Sequence, residues 1–160
     1  MGNCKCKDDK YPRLFKTQTE TEVDFSDVTS NSLSLQVLLK QQDVEVKLDL
    51  TSEMSLTDPV NQPQGTTFVE FDYILQRSTN NGPFSNLSTV TARQRVNIFE
   101  GFNNPDRASL IPNHTWTDKT GIGLHVYRVF IDNSTVVAGA AIFDSLMFQT
   151  RSLNATVFCT

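Results

Sequence analysis

The sequence predicts an all-β fold, an antiparallel jelly-roll sandwich of about eight strands with a flexible N-terminal arm. Three observations carry this. Apolar and polar residues alternate with period two over most of the chain, no stretch longer than two helical turns keeps period 3.6, and Gly, Pro, Asn and Asp break the pattern at short intervals. Hydrophobic residues make up 38% of the chain, and Ser, Thr, Asn and Gln together about a third, which suits strands with one wet face. At 160 residues the chain is one domain's worth, long enough to bury a core without covalent staples.

Residues 1–16 are charged, contain Cys4, Cys6 and a Tyr11-Pro12 step, and show no period that would bury a face, so they read as a connector arm ahead of a domain spanning 17–160. From Thr17 to Phe25, Thr, Val and Phe occupy one phase and acids or Gln the other. Leu33 to Leu39 and Val44 to Leu50 repeat the alternation, joined by the polar turn Lys40-Gln41-Gln42-Asp43. Asp58-Pro59 through Gln64-Gly65 is a loop by composition. Thr67 to Arg77 follows as a strand with Val69, Phe71, Tyr73 and Leu75 in phase. Asn80-Asn81-Gly82-Pro83 is a turn with residues suited to positive φ, and Thr89 to Phe99 is the next strand. Breaks come again at Gly101 to Pro105 and at Ile111-Pro112-Asn113, with His114 in an Asn-His-Thr-Trp loop. Gly123 to Ile131 is a strand, Asp132-Asn133-Ser134 a turn, Val136 to Phe143 small and apolar enough for a packed interior, and Leu146 to Phe158 the closing strand.

Charge excludes one partner class. Fourteen basic against 18 acidic residues leave a net charge of −4, with the Lys and Arg scattered, so nucleic acid is not an expected partner. No apolar run approaches the roughly 20 residues of a membrane helix, so no transmembrane segment is expected, and the N-terminus has no apolar stretch that would serve as a secretory signal.

No catalytic constellation emerges. His125 sits in a strand with no ligand-spaced partner and His114 in a polar loop, and both read as structural or surface residues. There is no nucleophile elbow, no zinc-helix motif and no glycine-rich phosphate loop. Glu45, Asp49, Glu70 and Asp72 alternate on polar strand faces and read as solvated side chains rather than as an acid/base pair. The expectation is a protein that is not an enzyme and takes no cofactor or metal. Acceptor patterns for glycosylation at Asn86, Asn113, Asn133 and Asn154 are what a chain rich in Asn, Ser and Thr contains by chance. Gly2 followed by Cys4 and Cys6 is a weak lipidation signal, because Cys6 stands where Ser or Thr is usual.

The three cysteines are informative by position. Cys4 and Cys6 lie in the arm and Cys159 is the penultimate residue. A bridge between Cys4 and Cys6 would close a strained ring across one residue, and an odd count leaves at least one thiol free, metal-bound or bonded to another molecule. The residues favour intermolecular bridging over free cytoplasmic thiols, and over lipidation or metal binding.

This layout resembles the endospore appendage (Ena) subunits of spore-forming bacteria, single jelly-roll domains with a short cysteine-bearing connector, made in the mother cell without a signal peptide. Members of that family stack into fibres in which the connector of one subunit is disulfide-bonded to a neighbour. The resemblance implies that Cys4 and Cys6 are connector thiols and Cys159 the receiving thiol, with Lys5 separating two cysteines that are adjacent in familiar members. It implies a structural, self-assembling homopolymer on the spore surface, in company with other spore-surface proteins. A second likeness, carried by Thr115 to Tyr127 and Arg151 to Phe158, is to the trimeric jelly-roll heads of tumour-necrosis-factor and complement type, and it implies a closed-oligomer binding head.

Overall fold

The structure is a computed structural model that describes residues 12–24, 32–57, 65–98, 107–111, 113–132 and 145–159. All its regular structure is β: β1 (Arg13–Thr19), β2 (Val23–Asp24), β3 (Leu33–Leu39), β4 (Val44–Thr57), β5 (Gly65–Thr79), β6 (Ser85–Ile98), β7 (Arg107–Leu110), β8 (Asn113–Thr120), β9 (Gly123–Asp132) and β10 (Ser145–Cys159). No helix occurs among the described residues.

The topology is a long hairpin rolled up. Its tip is the turn between β5 and β6, and its arms pair antiparallel as β5 with β6, β4 with β8, β3 with β9 and β1 with β10. Rolling then brings β10 against β4 and β9 against β5, again antiparallel. Two sheets result. Sheet A runs β1-β10-β4-β8, with β2 extending the β1 edge along β10 and β7 extending the β8 edge along β4; sheet B runs β3-β9-β5-β6. This is the jelly-roll sandwich, whose nested antiparallel pairing needs no crossover helix.

The core follows from the alternation. In β3, Leu33, Leu35, Val37 and Leu39 are buried while Ser34, Gln36 and Leu38 are exposed. Val44, Val46, Leu48 and Leu50 of β4 face them with Leu153, Ala155 and Val157 of β10. Each buried Val or Leu contributes about 1.5–3 kcal/mol relative to exposure, so a slip of one residue, which would turn this whole set outward, is strongly disfavoured.

The hairpin tip is set by turn chemistry. Asn80 (φ 50°) and Asn81 (φ 60°) both take positive φ, and Gly82 N donates to Thr79 O at 2.9 Å, a two-residue turn whose twist matches its strands. Asn80 also ties this tip to β9, donating from its backbone N to Leu124 O at 2.8 Å and accepting from Leu124 N on Oδ1 at 3.0 Å. Gly123 is needed there: its φ is +150°, and a Cβ would stand 2.8 Å from Asn80 Oδ1. In the β5–β6 pairing a register skip between Leu75 and Gln76 leaves Leu87 of β6 unopposed as a bulge.

Three expectations differ from the structure. The sequence predicts an arm over 1–16, but Arg13 to Lys16 are strand, paired with Asn154 to Val157. The segment from Thr17 to Phe25 is broken after Thr19, with only Val23 and Asp24 pairing again; Phe25 lies outside the described residues. His114 is not in a loop: Asn113–Thr120 is strand β8, paired along its length with β4. The interior expected for Val136 to Phe143 lies outside the described residues.

Candidate functional site

Of the thiols singled out by sequence, Cys159 is the last residue of β10, opposite Val44 of β4. Cys4 and Cys6 lie outside the described residues. The register nevertheless places the root of the arm. Arg13, the first residue of β1, is opposite Val157, so the chain enters β1 beside the end of β10, where Cys159 stands. Two exposed apolar side chains, Leu14 and Phe158, mark the same end of sheet A.

His125 and the carboxylates that invite catalytic readings are engaged in local contacts. His125 is buried; its Nε2 donates to Gly121 O at 2.9 Å, which leaves Nδ1 to accept from Thr79 Oγ1 at 3.2 Å. His114 is partly covered on the edge strand, and burial pushes its pKa down. Glu45 pairs with Lys119 at 2.7 Å and Asp49 with Lys47 at 3.1 Å, while Asp72 accepts from Thr91 Oγ1 at 2.6 Å. The hydrogen bond to Glu45 holds the Lys119 ammonium above its ordinary pKa. Among the described residues no group of three or more His, Cys, Asp or Glu is placed to hold a metal ion.

Sequence reasoning missed a polar bridge between the sheets. Asp118 of β8 accepts from Arg77 Nη1 on both oxygens, at 2.8 and 2.7 Å, and from the Tyr127 hydroxyl at 2.8 Å. Arg77 and Tyr127 are register partners on β5 and β9, so two sheet B strands grip the sheet A edge strand through one carboxylate. Burial, then the adjacent Asp118 charge, pushes the Tyr127 hydroxyl far above its ordinary pKa. Tyr73 is pushed up by burial as well, against the opposing pull of its 2.8 Å bond with Ser52 Oγ. The available signal was Arg77 itself, which continues the buried phase of Tyr73 and Leu75 and so required a partner inside.

The outer faces of the two sheets differ. On sheet A the register makes polar rows: Lys16, Asn154, Asp49 and Thr115 in one, and Gln18, Ser152, Thr51 and Asn113 in the next. These rows bond within themselves, Thr115 Oγ1 to Asp49 Oδ1 at 2.7 Å and Thr51 Oγ1 to Asn113 Oδ1 at 2.8 Å. Among the described residues, the outer face of sheet B presents Leu38, Leu124, Val126, Phe130 and Ile74 beside the cation Arg128 and the acid Asp72. The Arg128 guanidinium lies 4.0 Å from the centroid of Phe84 and 5.6 Å from that of Phe130. Its Nε and Nη2 donate to Gln76 Oε1 at 3.2 and 2.6 Å, and Gln76 Nε2 donates to Asn86 Oδ1 at 2.7 Å.

The chain matches no protein-family model and no curated protein. No helix among the described residues is long and apolar enough to cross a membrane.

Proposed function

We propose that this chain is a structural subunit that self-assembles into a disulfide-crosslinked surface fibre of the endospore-appendage kind, its N-terminal arm bridging to a neighbouring copy. The observation that carries this reading is the β1–β10 register, which roots the arm beside Cys159. From Arg13, Cys6 is seven residues away and Cys4 nine, so a fully extended arm reaches about 23–32 Å. A neighbour laid edge to edge against a four-strand sheet is displaced by about 19 Å, four strand spacings. Its Cys159 is therefore within reach.

The edge strand β3 supports the same reading. Its solvent-side residues Ser34, Gln36 and Leu38 carry no charge, and the strand holds no proline or bulge. An unguarded edge of this kind is a template for pairing with another chain. In the assembly, strand and face contacts set the geometry, and the disulfides make separation require reduction. The site of action under this reading is the spore surface, with other spore-surface proteins as further partners.

A second reading, a closed trimeric binding head, is favoured by one observation, the half-apolar outer face of sheet B, which a ring of copies would cover.

Electrophoresis without reductant separates the two. A fibre subunit runs as a ladder that reductant collapses to monomer, and Cys159→Ser removes the ladder. A closed head gives one fixed mass in solution, unchanged by reductant or by deletion of residues 1–11.

A further inference from the structure

We propose that the first half of β8, Asn113 to Trp116, is an acid-released flap: protonation of His114 lifts it from β4 while the sandwich behind it stays folded. Such a flap is a property of the single subunit, whatever that subunit assembles into.

Strand β8 pairs on one side, with β4, and none of its side chains joins the hydrophobic core. Its inward phase is His114, Trp116, Asp118 and Thr120, and Trp116 is left 37% exposed. The contacts that fix the strand are unevenly placed. Towards its end Asp118 binds Arg77 and Tyr127 across the sandwich, and just beyond it Gly121 O accepts from His125 Nε2. Its beginning has, besides the backbone ladder, two surface bonds, Thr51 Oγ1 to Asn113 Oδ1 and Thr115 Oγ1 to Asp49 Oδ1. A segment with few buried apolar contacts opens locally, at less cost than unfolding the whole.

His114 sits in that weakly held half, opposite Leu50, and its Nε2 is buried without a hydrogen bond. A neutral imidazole tolerates this, because one ring nitrogen carries no proton. An imidazolium has N–H on both, and a charged donor without an acceptor is costly to cover. The surrounding groups offer no relief. Its in-phase neighbours on β4 are Leu48, Leu50 and Ser52, and Ser52 Oγ is committed to the Tyr73 hydroxyl. Glu45, Lys47, Asp49 and Glu53 of β4 and Lys119 of β8 take the outer phase. Asp118 is held by Arg77 and Tyr127. On β6, the sheet B strand that meets β8, Leu87, Ser88 and Val90 are uncharged, and register sets Arg93 and Arg95 in the phase opposite to Val90. Arg151 of β10, opposite Ser52, and Arg107 of β7, opposite Thr57, are themselves cations. In the lifted strand the ring takes its proton in water, so acid favours lifting. Lifting uncovers the β4 edge from Leu48 to Thr51 and turns its backbone groups to solvent.

Burial lowers the pKa of His114 in the closed strand from the ordinary 6.5. Opening is therefore indifferent to pH above 6.5 and becomes easier below it, by up to about tenfold per pH unit, until the closed-state pKa is passed. The test is hydrogen exchange of the full chain in reductant, read by mass spectrometry on overlapping fragments and corrected for the intrinsic effect of pH on exchange. It runs from about pH 7.5 to about pH 5, across the histidine range. His114→Gln and His114→Phe, neutral throughout, run alongside, and either one suffices if the other fails to fold. Protection of the ladder amides from Asn113 to Trp116 should fall with acid by up to about tenfold per pH unit, while β9 and β10 hold theirs. In the variants the protection of β8 should not change with pH. A wild-type β8 whose protection is flat across this range overturns the proposal. So does an equal loss in β9 and β10, or the same acid response in the variants.

Discussion

The two outer faces of the sandwich are built on the same kind of strand and end up with opposite characters. Sheet A's face satisfies itself: its threonines, asparagines and charged residues bond to one another across β4 and β8, leaving ion pairs that are exposed and weakly held. Sheet B's face leaves apolar side chains half covered, fixes one arginine through Gln76 and Asn86, and bonds Asp72 to Thr91. Stability needs neither arrangement, because the core lies between the sheets. The difference lies at the surface, where sheet A bonds its polar rows within themselves and sheet B fixes one arginine among half-covered apolar side chains.

The sharpest way to break the comparison is to break what joins the faces. Asp118→Ala strips Arg77 and Tyr127 of their shared acceptor across the sheets, and it should cost about 3 kcal/mol, at the lower end for a broken buried pair because Arg77 keeps some contact with water. Urea unfolding reads this directly. Replacing Arg77 by Met and Asp118 by Leu together should recover much of the loss.

Alkali probes the same bridge more gently. The chain has three tyrosines, and Tyr73 and Tyr127 have folded pKa values raised above the ordinary 10. A raised pKa on an acid means that the folded state holds its proton more tightly, so this stability is present below pH 10 and is lost as pH rises past it. Ultraviolet titration should show two tyrosines ionising only together with unfolding. Tyr127→Phe should cost about 1 kcal/mol, since Asp118 keeps Arg77.

The smallest effects belong to the polar face. Lys47→Ala and Lys119→Ala remove exposed ion pairs and should leave the urea midpoint and association essentially unchanged. A large change in association from either would undo the distinction between the faces.

The sequence made most of this fold legible, because β3, β4, β9 and β10 alternate apolar and polar residues cleanly. Strand β8 was hidden for a physical reason. Its core-facing phase is His114, Trp116, Asp118 and Thr120, opposite Leu50, Leu48, Val46 and Val44, so the inward residues are as polar as the outward ones. An edge strand held by a polar bridge has no hydrophobic period to read. The break after Thr19 was hidden too, since Thr17 to Phe25 keeps its alternation through residues that do not pair. As for the site, the terminal placement of the cysteines was plain from the sequence. The proximity of the arm's root to Cys159 was not, because it depends on the first and last strands pairing across the whole length of the chain.

Negative-stain electron microscopy of the full chain, with and without reductant and beside Cys159→Ser, tests the central claim most directly. The account predicts fibres for the wild type that reductant weakens or disperses, and none that survive dilution for Cys159→Ser. Dispersed particles of monomer size under oxidising conditions, with or without Cys159, would contradict it.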